Sequence, residues 1–252
     1  MKKILFTRRI DTLYKKALRD IGLEPIEYDF LKINPLPHAQ TEILNELSHI
    51  KNIVFTSQYA VRIFFDSIYP NKPSSGNCES FPNLISTSEL SKNLKLLESW
   101  AIFSTSEATK NLIKSHNLKP TLSAPTAKQL AQLMLEKADL SAGVYFICGN
   151  LSLNHLPNIL EKQGISVKKI SVYETQKHPL SILEPFDAVV FLSLSAADAF
   201  LEKNTIMPDT LIFTLGETTA DYVRKITNAQ LIFVAEKPTI SALIDIIRQK
   251  CT

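Results

Sequence analysis

The chain has 252 residues, only six of them glycine, and a formal net charge of +3. At ordinary usage a chain this long carries roughly 18 glycines, so glycine-rich phosphate turns of the GxGxxG or GxxxxGK[ST] kind have no room. The charge is too small to point to nucleic acid, and three scattered cysteines fit a reducing compartment rather than a disulfide scaffold. Neither CxxC nor HExxH occurs, so no metal site is expected. The apolar run Ile4-Leu5-Phe6 is too short for a signal peptide, and no stretch approaches the ~18 apolar residues of a bilayer span. The expectation is a soluble, cytoplasmic protein with no membrane or nucleic-acid partner.

Short apolar runs recur along the chain at Ile4–Thr7, Asn52–Thr56, Ala101–Thr105, Gly143–Cys148, Ala188–Leu192, Leu211–Leu215 and Leu231–Ala235. Each is rich in Val, Ile or Phe and short enough to be a buried strand. Helical faces lie between them: Leu13, Ala17, Leu18 and Ile21; then Ala60, Val61, Phe64, Phe65 and Ile68; then Ala242, Leu243, Ile246 and Ile247. Strand and helix in alternation predict an α/β fold with parallel sheets. The Pro- and Ser-containing stretch around Pro70–Pro82 reads as an exposed loop.

The pattern also repeats. Phe55-Thr56-Ser57-Gln58-Tyr59-Ala60 and Phe191-Leu192-Ser193-Leu194-Ser195-Ala196 share Phe-x-Ser-x-x-Ala. Ser106-Glu107-Ala108-Thr109 matches Gly216-Glu217-Thr218-Thr219, Pro125-Thr126 matches Pro238-Thr239, and Leu5-Phe6-Thr7 with Gly22 matches Phe146-Ile147-Cys148 with Gly164. This order implies a duplicated architecture, two similar α/β domains with a ligand cleft between them at the strand carboxyl ends. Ser57, Thr109, Ser193 and Thr219 each stand between a strand and a helix. Each is either a plain N-cap or part of an anion-ready helix start. Cys148 reads as a buried core thiol, and the five histidines show no metal spacing.

Segments spread from end to end resemble the uroporphyrinogen-III synthase family. They are Phe6-Thr7-Arg8, Val54-Phe55-Thr56-Ser57, Cys148-Gly149-Asn150-Leu151, Val172-Tyr173-Glu174-Thr175, Val190-Phe191-x-Ser193-x-Ser195-Ala196, Gly216-x-Thr218-Thr219-Ala220 and Ala235-x-x-Pro238-Thr239. The resemblance implies two α/β domains joined by a two-stranded linker, with residues 1–34 and 174–252 in one and 35–173 in the other. Composition alone would cut the chain once, near its middle.

The resemblance further implies a monomeric enzyme without cofactor or metal. Such an enzyme closes the linear tetrapyrrole hydroxymethylbilane, an octacarboxylate, to uroporphyrinogen III with loss of water and inversion of ring D. Tyr173 matches the cleft tyrosine of the Val-Tyr-x-Thr motif, and a phenol carries a proton to give at neutral pH. Thr7, Arg8, Ser57, Thr109, Gly149, Asn150, Ser193, Ser195, Thr218 and Thr219 match positions implied to hold the substrate carboxylates. The chain departs from the family pattern at Ser106, where glycine is usual, so the turn before Thr109 is expected to differ. It departs again at Leu151–Leu153 and at Gln58-Tyr59, where relatives carry basic residues, and at Arg9, where proline is common. Two other readings stay open on the residues alone: a non-catalytic two-lobed binding protein for an anionic metabolite, and a flavodoxin-like flavin or nucleotide enzyme.

Overall fold

The computed structural model describes residues 1–69 and 96–251, so the loop expected around Pro70–Pro82 lies outside the described residues. In chain order the elements are β1 (Lys2–Phe6), α1 (Thr12–Arg19), β2 (Leu23–Glu27), β3 (Leu31–Pro35), α2 (Ala39–Glu46), β4 (Asn52–Phe55) and α3 (Gln58–Ile68). They continue as β5 (Ala101–Thr105), α4 (Glu107–Ser115), β6 (Leu122–Ala124), α5 (Ala127–Lys137), β7 (Val144–Gly149), α6 (His155–Glu161) and β8 (Val167–Lys177). The last are β9 (Ala188–Phe191), α7 (Leu194–Leu201), β10 (Leu211–Thr214), α8 (Glu217–Ile226), β11 (Ile232–Val234) and α9 (Ile240–Cys251).

The chain forms two compact units. One is Met1–Lys32 with the chain from Gln176 on, and the other is Ile33–Thr175. It passes from one to the other inside β3 and inside β8. The first unit holds a five-stranded sheet in the order β11-β10-β9-β1-β2, and the second a six-stranded sheet in the order β3-β8-β7-β4-β5-β6. The ladders β1–β2, β1–β9, β9–β10 and β10–β11 are parallel, as are β7–β8, β4–β7, β4–β5 and β5–β6.

Each strand set follows one plan. Two strands run outward on one side of a switch point and three on the other, which is the doubly wound order. In the first unit β1 and β2 come first along the chain. In the second, their counterparts β7 and β8 come last, so the second sheet is a permuted copy with β3 added at its edge.

Helices on both faces explain the continuous apolar strands. In β1, Ile4 and Phe6 pack with Leu243 and Ile247 of α9, whereas Leu5 packs on the other face with Phe200 of α7 and Val223 of α8. In β4, Ile53 and Phe55 pack with Val61, Phe64 and Phe65 of α3, and Val54 packs with Leu130 and Met134 of α5. Helices start where a side-chain oxygen takes a free backbone N–H: Asp11 before α1, Ser57 before α3, Ser106 before α4, Thr126 before α5 and Ser193 before α7.

Candidate active site

Parallel doubly wound sheets hold ligands beyond the strand carboxyl ends, where the strand order reverses. In the second unit that place is between β7 and β4. β4 ends at Phe55 and leads to Ser57, β7 ends at Gly149 and leads to Asn150, and β8 carries Tyr173 beside them.

Three local features aim Tyr173. The β7–β8 register slips by one residue between Cys148 and Gly149, so that Cys148 faces Ser171 and Gly149 faces Tyr173. Such a bulge re-aims a side chain. The tyrosine ring then lies over the glycine: a Cβ on Gly149 would stand 2.3 Å from Tyr173 Cε2 and 2.4 Å from its Cζ. Gly149 is therefore needed for clearance rather than for its backbone angle. Past the glycine, the Tyr173 hydroxyl donates to Ser57 Oγ at 3.0 Å. Tyr59, on the first turn of α3, sets its ring 5.9 Å from that of Tyr173.

Ser57 does two jobs. Its Oγ accepts the Tyr59 N–H at 3.1 Å as the cap of α3, and it accepts the Tyr173 hydroxyl. With both lone pairs engaged, its own proton is left to donate. Asn150 fixes the other side: its N–H donates to the Tyr173 carbonyl at 3.0 Å, and its Oδ1 accepts the Thr175 N–H at 2.9 Å. Tyr173, Ser57, Gly149 and Asn150, far apart in sequence, thus form one cluster. Cys148 next to it is buried, and burial raises its thiol pKa, which leaves it a core thiol rather than a nucleophile.

Thr109 sits one strand further out, buried at the start of α4. Its Oγ1 accepts the Ser106 hydroxyl at 3.0 Å and its N–H donates back to Ser106 Oγ at 3.3 Å. Ser106 reaches this with φ 58 and ψ 150, a region that is nearly glycine-only. Serine here holds a backbone that favours glycine.

In the first unit the switch point lies between β1 and β9. Thr7 is fully buried there, and its hydroxyl and N–H both donate to the Val190 carbonyl, at 3.0 and 3.2 Å. Arg8 is half-buried, and Arg9 pairs with Asp29 at 3.0 Å. Ser193 caps α7 by accepting the Ala196 N–H at 3.3 Å, and Ser195 is half-buried one residue into that helix. Thr218 is exposed and Thr219 buried on the first turn of α8, whose cap residue Gly216 offers no side chain.

Beside α7, Lys177 pairs with Asp198 and with Glu202, the latter at 2.7 Å, and Tyr222 donates to Asp198 at 2.5 Å. The hydrogen bonds from Lys177 and Tyr222 hold the Asp198 carboxyl below its usual range. A recess of about 390 Å³ opens at the opposite, amino ends of the first sheet, but its Lys2, Lys3 and Lys250 share it with Asp187 and Asp209.

The sequence marks Tyr59 only as a place where relatives carry a basic residue. Its position two residues after a capping serine is the signal that points to the cluster. Among the described residues no group of three His, Cys, Asp or Glu could hold a metal ion, and no helix is long and apolar enough to cross a membrane.

These features define a duplicated, doubly wound α/β protein whose strand ends carry hydroxyl, amide and phenol groups. The sequence profile described as uroporphyrinogen-III synthase HemD matches residues 13–245. The chain belongs to the uroporphyrinogen-III synthase family. It is 25% identical to a porphyrin biosynthesis protein HemD of Ruminiclostridium josui, over 96% of this chain and 47% of that protein. The chain thus spans about half the length of this curated relative. Among solved structures, uroporphyrinogen-III synthetase from Helicobacter pylori 26695 is similar with a TM-score of 0.65 at 20% identity, covering 99% of both chains. A mutant uroporphyrinogen III synthase from the extremely thermophilic bacterium Thermus thermophilus is similar with a TM-score of 0.62 at 13% identity, covering 99% of this chain and 98% of that one. At such identities the two structures speak for the fold.

Proposed function

We propose that this chain converts hydroxymethylbilane to uroporphyrinogen III, with Tyr173 assisting departure of the hydroxyl group. Family membership supports the reaction, and the observation that carries the assignment is the Tyr173 phenol laid across Gly149 and hydrogen-bonded to Ser57. The phenol turns its proton from Ser57 Oγ to the leaving hydroxyl, which takes it and departs as water. The cation left behind is attacked by the substituted end of ring D, giving a spiro intermediate, and rearrangement to the inverted ring releases a proton in return. The cation is reactive by itself, so the protein's main task is to hold one folded chain conformation and keep water out.

The remaining donors are proposed to hold substrate carboxylates: Ser57, Gly149, Asn150 and Thr109 in the second unit, and Thr7, Arg8, Ser193, Ser195, Thr218 and Thr219 in the first. Hydroxyl protons and backbone N–H groups at helix starts suit carboxylates. Thr7 and Thr109, being buried, would act by fixing the strand ends that present their neighbours. The protein is further proposed to work as a cytoplasmic monomer, which light scattering would check as a single mass near 28.3 kDa.

The test is a coupled assay fed with fresh hydroxymethylbilane. Tyr173→Phe is expected to lower kcat about 100-fold with KM within a few-fold of the unaltered protein. A Tyr173→Phe variant with full kcat would remove Tyr173 from the chemistry. An unaltered protein that binds the bilane without turnover would favour the non-catalytic binding reading.

A further inference from the structure

Gly149 admits the Tyr173 ring but has no side chain with which to hold it. A Cβ there would also stand 2.9 Å from the ring's Cδ2, so the ring fills the space that a side chain would take. Two observed contacts hold the ring from elsewhere. Its hydroxyl donates to Ser57 Oγ at 3.0 Å, and the Tyr59 ring lies with its centroid 5.9 Å away, tilted by 56°. That separation is within the ~4.5–7 Å range in which aromatic pairs attract.

The two contacts fare differently during the reaction. The hydrogen bond is given up when the phenol turns its proton to the leaving hydroxyl. The ring contact uses no proton and persists. It also stands on a fixed base. The Tyr59 N–H is tied to Ser57 Oγ at 3.1 Å, and seven of the eleven residues of α3 are buried, so the helix start does not drift. Tyr59 itself is half-buried and packs against the same apolar core that contains Tyr173. One serine oxygen thus fixes the start of the helix and receives the phenol, which aligns the two rings from a single atom.

We infer that Tyr59 is a positioning residue: its ring keeps the Tyr173 phenol aimed at the leaving hydroxyl after the bond to Ser57 has been released. This inference rests on the synthase reading above. A reacting group misplaced by ~1 Å costs up to ~100-fold in rate, and a tyrosine freed at its tip can swing toward another staggered rotamer about its Cα–Cβ bond. The Tyr59 ring opposes that swing, since moving away from it loses the aromatic contact. The role belongs to the Tyr59 ring and not to its hydroxyl.

The test measures kcat and KM in the coupled assay, well below the melting temperature of each protein. The proteins are Tyr59→Leu, Tyr59→Phe, Tyr173→Phe, Tyr59→Leu combined with Tyr173→Phe, and the unaltered chain. Tyr59→Leu is expected to lower kcat about tenfold with KM within about twofold, and Tyr59→Phe, which keeps the ring, to return kcat to within about twofold of the unaltered protein. In the Tyr173→Phe protein no phenol is left to aim, so adding Tyr59→Leu should lower kcat by less than about twofold. A loss that is the same with and without the phenol would come from a general loosening of the fold and overturns the inference. So does Tyr59→Leu with full kcat, a rise in KM in place of the fall in kcat, or Tyr59→Phe as slow as Tyr59→Leu. These outcomes leave the synthase reading standing as long as the unaltered protein makes isomer III. An unaltered protein that makes only isomer I overturns the synthase reading, and Tyr173→Phe with full kcat removes the phenol from the chemistry; either result takes the inference with it.

Discussion

Two equivalent turns in the two units carry the residues opposite to those their backbones favour. Ser106, at the end of β5, takes φ 58 and ψ 150, where a Cβ is strained. Gly216, at the end of β10, takes φ −164 and ψ 162, extended backbone open to any residue, with nothing within 4 Å of where a Cβ would stand. Ser106 supplies its helix with a cap; Gly216 leaves the start of α8 without one. The same contrast holds at the switch points. In the second unit Gly149 gives way to an aromatic ring whose phenol reaches Ser57, whereas in the first Thr7 spends its hydroxyl on Val190. One sheet plan has thus been given two sets of strand ends. The second unit uses local strain and a glycine to place particular side chains, and the first starts α8 without a side-chain cap.

Substitutions at these turns are expected to affect the two units differently. Gly149→Ala should have the largest effect, because a methyl group there displaces the Tyr173 ring and its bond to Ser57. A loss of ~100-fold in kcat and ~1–3 kcal/mol in stability is expected, read from the coupled assay and urea unfolding. An alanine variant with unaltered turnover would show that the ring does not need its place over the glycine.

Next comes Ser106. Ser106→Ala keeps the strained backbone and loses the cap, costing about 1 kcal/mol. Ser106→Gly also loses the cap but relieves strain of order 1–3 kcal/mol. The glycine variant should therefore melt several degrees above the alanine variant, and equal melting temperatures would contradict a strained Ser106.

Gly216→Ser should raise stability by about a few tenths of a kcal/mol by capping α8. If substrate carboxylate uses the first N–H groups of that helix, KM rises at the same time. A stabilised variant with unchanged KM would remove Thr218 and Thr219 from substrate binding.

A small effect is expected at Asp198, whose pairing with Lys177 is partly exposed and screened. Its carboxyl is held below the usual value, so its contribution is present above about pH 4 and is lost as pH falls through the depressed folded value. Asp198→Asn should lower stability by under about 1 kcal/mol at pH 7 and flatten that acid limb. An acid limb identical in both proteins would place the titration elsewhere.

The central strands are easy to find in the sequence, and three of the four edge strands are hard. β4, β9 and the carboxyl half of β1 are buried on both faces and show as unbroken apolar runs. β2, β3 and β6 lie at sheet edges, carry Pro25, Lys32 and Ser123, and leave no such run. β8 has exposed lysines near both ends around a buried centre and shows itself only through its Val-Tyr-x-Thr motif. The paired motifs are legible because equivalent strands end in similar turns. That the second copy is permuted is not, since motif order alone does not say which strand opens a sheet. The meeting of Gly149, Tyr173 and Ser57 is also hidden. It depends on a one-residue slip in the β7–β8 register that no local pattern announces.

We propose that this chain makes the inverted isomer with the phenol of Tyr173. It is tested most directly by resolving isomers I and III from fresh hydroxymethylbilane with the unaltered protein and Tyr173→Phe side by side. Isomer III from the unaltered protein and a much slower yield of it from the variant are expected. Isomer I alone, at the level formed without protein, would contradict the proposal.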